Sequence, residues 1–297
     1  MAALIYIERS DFEVEGEDMT RREGNIVVEI DRDDLLTNWL KSQHLTMTND
    51  LFMEFSINTY GHCSLVAGID YFSVDDSLDG LTIARHRNIC DVAGIPYFLV
   101  DIVGEVYCHR GVMFKSITNY NFMWNYCNFQ AMQFLQEFGM TANLSEEDYS
   151  AFLYRLRGLE PKKPQLKTEL YLASLNYQKI FRERHAMYGK ELLQSDIDLI
   201  LYSQKNLLNP VMMIEFKSNK YGHKAFKGSS PQEKMFQQLG KALNTHVYHM
   251  WHPEGDLGIF VVYREYNGFT NFKKYFENTC MTTEEFVKSL FNIIGNN

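Results

Sequence analysis

The sequence lacks the features that would place it in a membrane or in a disulfide framework. No apolar run approaches the ~20 residues of a membrane-crossing helix. The longest, at 95–100 and 258–263, are far shorter, and the N-terminal stretch MAALIYIERSDFEVEGED turns acidic at once. These absences predict a chain without signal peptide, anchor or span. Cysteine is scarce as well: Cys63, Cys90, Cys108, Cys127 and Cys280 are odd in number, scattered and without a Cys-x-x-Cys pair. Neither a disulfide framework nor a zinc ribbon is supported, and a reducing, cytoplasmic compartment is the expectation. No Walker loop, nucleophile elbow or dinucleotide fingerprint occurs, so the nucleotide and acyl-transfer chemistries tied to those motifs have no support.

What is present describes an ordered chain. Its 297 residues are 45% hydrophobic and 14% aromatic, with a mean hydropathy of -0.29. That length gives room for about two domains of ~100–200 residues each. The net charge of -9 hides an asymmetry: residues 1–150 carry 24 Asp/Glu against 9 Lys/Arg, and residues 151–297 carry 14 against 20. An acidic half repels a polyanion and a basic half attracts one, so contact with nucleic acid is expected in the second half.

The segment RLRGLEPKKPQLK at 155–167 interrupts a run of solvated charge with one Gly and two Pro. A boundary placed there gives an acidic α/β accessory domain over 1–158 and a second domain over 159–297. In the first, strands are expected over 3–8, 24–30, 51–57, 64–73 and 97–102, with a helix over 81–93. The aromatic- and Met-rich stretch 119–138 reads as a buried helix, and Ser145-x-x-Asp148 caps another running through Leu156.

The second half opens with helical periodicity over 165–188, followed by short apolar runs at 197–202 and 211–216. The turn-forming SQKNLLNP between these runs predicts a hairpin. Ser230-Pro231-Gln232-Glu233 combines an N-cap Ser, Pro at the first helical position and a capping-box Glu, so a helix starts at Pro231 and runs to about Asn244. Strands near 245–251 and 257–264 and a last helix from Thr282 complete the pattern. No internal repeat is clear, although 81–102 loosely echoes 231–263.

The chemistry-bearing stretch is Ser195-Asp196-Ile197-Asp198-Leu199-Ile200-Leu201, then Met212-Met213-Ile214-Glu215-Phe216-Lys217. Phosphodiester hydrolysis needs a divalent cation held by carboxylates and a positive charge near the attacking water. Strand alternation puts Glu215 and Lys217 on one face, and pairing of the two runs can bring Asp198 beside Glu215. From Lys217 to Lys234 the chain carries five Lys (217, 220, 224, 227 and 234) against Glu233 alone. Such a stretch suits a phosphate backbone, with Lys220, Lys224, Lys227 and Lys234 as contacts and Tyr221 and Phe226 available for stacking.

This order of elements resembles the PD-(D/E)XK nuclease superfamily over roughly 167–264: an acidic helix with Glu169, a strand starting near Asp198, Glu215-Phe216-Lys217, and a helix carrying Gln237 and Gln238. The resemblance implies an α/β (α+β) fold with a mixed-sheet, restriction-endonuclease-like core flanked by helices. It implies that Asp198, Glu215, the Phe216 backbone carbonyl and Glu169 hold Mg²⁺ or Mn²⁺. It also implies that Lys217 positions or activates water and that Gln238 assists. A metal-dependent nuclease acting on nucleic acid, DNA favoured over RNA, is the resulting expectation. No Pro precedes Asp198 and no Tyr lies four residues after either Gln, so two common variations of the pattern are not met.

Other readings compete. Glu-x-Lys alone is a common cross-strand charge pair. Asp196, Asp198 and Glu215 also resemble the aspartates of nucleotidyltransferases, although Gly189-Lys190 stands where a Gly-Ser turn is needed. A third reading is a nucleic-acid-binding or interaction protein without turnover. Asp196 itself reads as a solvated residue in the turn before the strand, and Glu183 competes with Glu169. His246, His249 and His252 alternate along a strand, which disfavours a joint metal site. In the first half, Glu54, Asp70, Asp75 and Asp76 read as scaffold, and that half is expected to serve substrate choice, dimerisation or a protein partner. No membrane partner is expected.

Overall fold

A computed structural model describes residues 3–7, 26–30, 46–48, 51–72, 79–109, 112–164, 185, 188–202, 205, 207–216, 230–251, 261–265 and 280–281. Two six-stranded mixed sheets, a two-stranded sheet and four α-helices make up the described α/β fold, with no described helix long and apolar enough to cross a membrane. The strands are β1 (Ala3–Ile7), β2 (Ile26–Ile30), β3 (Met47–Thr48), β4 (Leu51–Ile57), β5 (Cys63–Phe72), β6 (Tyr97–His109), β7 (Val112–Phe122) and β8 (Asn143–Ser145). They continue as β9 (Leu193–Ile197), β10 (Leu199–Tyr202), β11 (Pro210–Phe216), β12 (His246–Trp251), β13 (Val261–Glu265) and β14 (Cys280–Met281). The helices are α1 (Gly80–Ala93), α2 (Phe129–Glu137), α3 (Glu146–Leu156) and α4 (Pro231–Leu243).

The first sheet has the order β8-β7-β6-β5-β4-β9 and the second β14-β13-β12-β11-β10-β3, while β1 and β2 pair with each other. In each six-stranded sheet a hairpin leads through one helix to a parallel neighbour. These are β4-β5-α1-β6 and β10-β11-α4-β12, and β5/β6 and β11/β12 are the parallel pairs. A parallel pair needs such a crossover, and the capped helices supply it. Asp79 caps α1 by accepting from the Thr82 backbone N–H at 2.8 Å, and Gly94 ends it in the left-handed region at φ 70°. α4 starts with the capping box of Ser230 and Glu233 and ends on Asn244 at φ 49°.

Strands from both sides of the expected 158/159 boundary occur in each six-stranded sheet. β9 pairs with β4, from Leu51 opposite Ile197 to Phe55 opposite Leu193, and β3 pairs with β10 through Thr48 opposite Ile200. Both pairings keep one register: three residues back from Leu51 and three forward from Ile197 lead to Thr48 and Ile200. The two antiparallel pairings, one in each sheet, are therefore in step with each other. Strand alternation sends the apolar side chains of β4 to two different cores. Phe52 joins a core of β5–β7, α2 and α3 residues, whereas Leu51, Met53 and Phe55 join a second core containing Met213, Met235, Phe236 and Val247.

The buried helix expected over 119–138 is not formed. β7 runs through Phe122 and pairs with β6 for its whole length, a short 3₁₀ turn covers Trp124–Tyr126, and only Phe129–Glu137 is α-helical. Asn119, Tyr120, Asn121 and Phe122 alternate polar and aromatic with a period of two, which is a strand signal. Phe129 is 67% exposed, so its aromatic character does not mark a core position. The expected helices at 165–188 and from Thr282 lie mostly or wholly outside the described residues.

Candidate active site at the crossing of the sheets

Asp198 stands at the bend where the chain leaves β9 in the first sheet and enters β10 in the second. Its neighbours Ile197, Leu199, Ile200, Leu201 and Tyr202 are all buried, while Asp198 is half-buried. The hairpin pairs Leu199 with Ile214, so one further step in the same register puts Asp198 opposite Glu215. Glu215 is 3% exposed and lies one residue before the end of β11. Two carboxylate-bearing residues thus lie at the same end of the hairpin, each one step beyond the Leu199–Ile214 pair.

The first turn of α4 reaches Glu215. Ser230 is the N-cap and Pro231 fills the first helical position, which puts Gln232 in that turn. The Gln232 side-chain amide donates to Glu215 Oε1 at 2.6 Å and to Ser195 Oγ at 2.6 Å. Ser195 lies on β9, so one amide ties together the crossing strand, β11 and α4. The neighbouring Glu233 is absorbed by the cap, where Oε2 accepts from the Ser230 N–H at 2.9 Å. A carboxylate near a helix N-terminus also gains from the helix dipole.

Of the residues expected at the site, Glu169, Glu183, Lys217, Lys220, Lys224 and Lys227 lie outside the described residues, as do Asp75, Asp76 and His252. Phe216 is the last residue of β11, its backbone opposite Met250 of β12. Gln238 is exposed, and the α4 glutamine hydrogen-bonded to Glu215 is Gln232. The signal for Gln232 is the capping box, which fixes its place in the first turn. Lys234 Nζ donates to the Gly61 carbonyl at 2.8 Å, so it fastens α4 to the β4–β5 turn. Asp196 is not in a turn: it is half-buried within β9 and opposite Phe52, because β9 finds its partner in the other half of the chain.

Comparison of the chain with protein-family models, curated proteins and solved structures finds no match.

A second polar network occupies the first half. Asp70 on β5 accepts from the Tyr97 hydroxyl at 2.5 Å, and His86 Nδ1 of α1 lies 2.8 Å from the same carboxylate oxygen. His86 Nε2 is 2.8 Å from Thr48 Oγ1, which is 3.0 Å from the Tyr202 hydroxyl. Asp70, His86 and Thr48 are all buried. Glu54, on the opposite face of β4 from Met53, meets Arg157 in a buried ion pair, accepts from Gln194 Nε2 at 2.7 Å and lies 3.1 Å from His185 Nε2. Burial, reinforced by the positive charge of Arg157, pulls His185 down to about 3. Burial pushes the free thiols of Cys63 and Cys127 up to about 11, which removes them as thiolate nucleophiles at neutral pH.

Among the described residues no group of three or more His, Cys, Asp and Glu side chains is gathered as for a metal ion. Asp198 and Glu215 are a two-carboxylate set of hard oxygen donors, which suits Mg²⁺ or Mn²⁺.

Proposed function

We propose that the chain is a metal-dependent nuclease that hydrolyses phosphodiester bonds of nucleic acid, DNA in preference to RNA, on a restriction-endonuclease-like core. The observation that supports this reading is the hairpin pairing of Leu199 with Ile214, which extended by one step leads from Asp198 to the buried Glu215 held by Gln232 of α4. Support also comes from the sequence, in which Lys217 follows two residues after Glu215 and the lysine-rich stretch begins there.

Asp198 and Glu215 would hold Mg²⁺ or Mn²⁺, with Glu169 and the Phe216 carbonyl completing the donors. When bound, such an ion polarises a phosphoryl oxygen and lowers the pKa of water. Glu215 is kept in one orientation by Gln232, and Gln232 is itself held by Ser195. Lys217 orients the attacking water and lends it positive charge. The water oxygen forms a bond to phosphorus, one P–O ester bond breaks, and the proton released from water is balanced by the one taken up at the leaving oxygen. Lys220, Lys224 and Lys227 supply the electrostatic attraction for the backbone.

The test is incubation of wild-type, Glu215→Ala and Lys217→Ala proteins with labelled single- and double-stranded DNA and RNA in Mg²⁺, Mn²⁺ or EDTA. Metal-dependent cleavage lost in both variants is expected. Turnover at the wild-type rate in either variant would overturn the assignment of the site.

A further inference from the structure

The two six-stranded sheets repeat one plan down to single residues. In each, a carboxylate lies near the end of the strand that leads into the crossover helix, two residues after a position facing the second core: Asp70 after Gly68, and Glu215 after Met213. Each carboxylate is hydrogen-bonded by the helix that follows its strand, through His86 of α1 or Gln232 of α4. Each of those side chains also reaches a hydroxyl on the strand crossing over from the other half, Thr48 on β3 or Ser195 on β9. The pairing obeys the same exchange. Thr48 faces Ile200 and Ser195 faces Met53, so swapping Thr48 with Ser195 swaps their partners Ile200 and Met53 as well. That is the signature of an approximate two-fold relation between the halves, with its axis between the β3–β10 and β4–β9 pairings.

The repeated positions differ where the proposed chemistry lies. One step beyond the Leu199–Ile214 and Phe52–Ile69 pairs, the two registers lead from Glu215 to Asp198 and from Asp70 to Leu51, which is fully buried. Two residues after Glu215 the sequence has Lys217, and two after Asp70 it has Phe72. On the parallel neighbour, Val247 faces Met213 and Tyr97 faces Gly68, and the Tyr97 hydroxyl caps Asp70. The first-half site therefore keeps one carboxylate, closed off by a phenol and an imidazole, and has exchanged the second acid and the lysine for apolar groups.

We infer that the chain is a one-chain counterpart of a two-fold dimer with a single working centre, so that on double-stranded DNA it cuts one strand and leaves a nick. This rests on the nuclease reading of the Asp198/Glu215 site. Two working centres related by a two-fold axis match the two antiparallel strands of a duplex, and one centre reaches only one of them. The cleavage step is the hydrolysis already balanced above.

The experiment uses supercoiled plasmid DNA with the full chain and Mg²⁺ or Mn²⁺, the enzyme kept below the plasmid concentration, and follows supercoiled, nicked and linear forms with time. The expected result is accumulation of the nicked form at a rate first order in enzyme, with linear DNA arising only later from scattered nicks. Linear DNA formed directly from the supercoiled form would overturn the inference while leaving the nuclease reading intact, and so would a rate that rises with the square of enzyme concentration. Cleavage restricted to single strands would overturn it in the same way. No cleavage of any nucleic acid would overturn both. Asp70→Asn adds a second readout: cleavage within a few-fold of wild type in a folded variant is expected. Abolished cleavage with an unchanged melting temperature would show that the reaction needs the Asp70 site and overturn the inference.

Discussion

Gln232 Nε2 lies 2.6 Å from Glu215 Oε1 and 2.6 Å from Ser195 Oγ, so the amide that holds the buried carboxylate is itself held by the neighbouring strand. Under the proposed function Gln232 is a positioning residue. Gln232→Leu is expected to lower cleavage about 10- to 100-fold, the usual effect of losing a group that orients a metal-holding carboxylate. Because Glu215 remains, the metal concentration needed for half-maximal rate should rise, whereas a purely structural role would leave it unchanged. Titration of the rate with Mn²⁺ distinguishes these outcomes.

Glu54→Ala is expected to destabilise the protein by about 3–5 kcal/mol, because it leaves the Arg157 charge buried without its carboxylate. Both side chains of the pair are essentially inaccessible to solvent. Urea unfolding monitored by tryptophan fluorescence measures the loss. A change below about 1 kcal/mol would place the pair among those with surface-like energetics.

His185 makes stability fall on acidification. Its folded-state pKa of about 3 lies below the ordinary value of 6.5, so between these limits the unfolded chain binds a proton that the folded chain does not. Stability is then lost as pH falls from about 6.5 towards 3, at roughly 1.4 kcal/mol per pH unit for this one group, with no contribution from it above that window. His185→Gln, which cannot take up the proton, should flatten the slope of unfolding free energy against pH. An unchanged slope would show that His185 titrates normally in the folded state.

Gly68→Ala tests the closeness of β5 to α1. A Cβ there would stand 2.3 Å from Cys90 Sγ and 3.4 Å from Leu51 Cδ1. The cost of forcing these apart is expected to be about 1–3 kcal/mol. Cys90→Ala in the same chain removes the sulfur and should recover much of it, a coupling that a double-mutant cycle reads directly.

The parts of this architecture written in local sequence were legible. The capping box at Ser230 and Glu233, the hairpin of short apolar runs around Leu199–Tyr202 and Pro210–Phe216, and the helix ended by Gly94 depend on residues close in the chain. Pairings between distant segments were not. Nothing near Leu193–Ile197 announces that this run completes a sheet begun by β4, and an isolated Asp196 before an apolar run looks like a turn residue until Phe52 is found opposite it. The same reason hid the networks: Thr48 with His86, and Ser195 with Gln232, join residues brought together only by the crossing ladder. Of the candidate site, Asp198 and Glu215 were visible because a hairpin register is local, whereas the choice of Gln232 over Gln238 depended on which turn of α4 meets β11.

The ladder between β3–β4 and β9–β10 has a consequence for how the chain must be made. Its partners are separated by well over a hundred residues, and each sheet takes its outermost strand from the opposite half. During synthesis the edge of β4 therefore waits unpaired, with Leu51, Phe52, Met53 and Phe55 uncovered, until residues near 200 have left the ribosome. Contacts of such high sequence separation slow folding, because the entropy of closing the long loop is lost before the pairing repays it. Cutting the gene at the charged stretch near residue 158 should thus yield two halves that are each insoluble alone and recover structure only when refolded together.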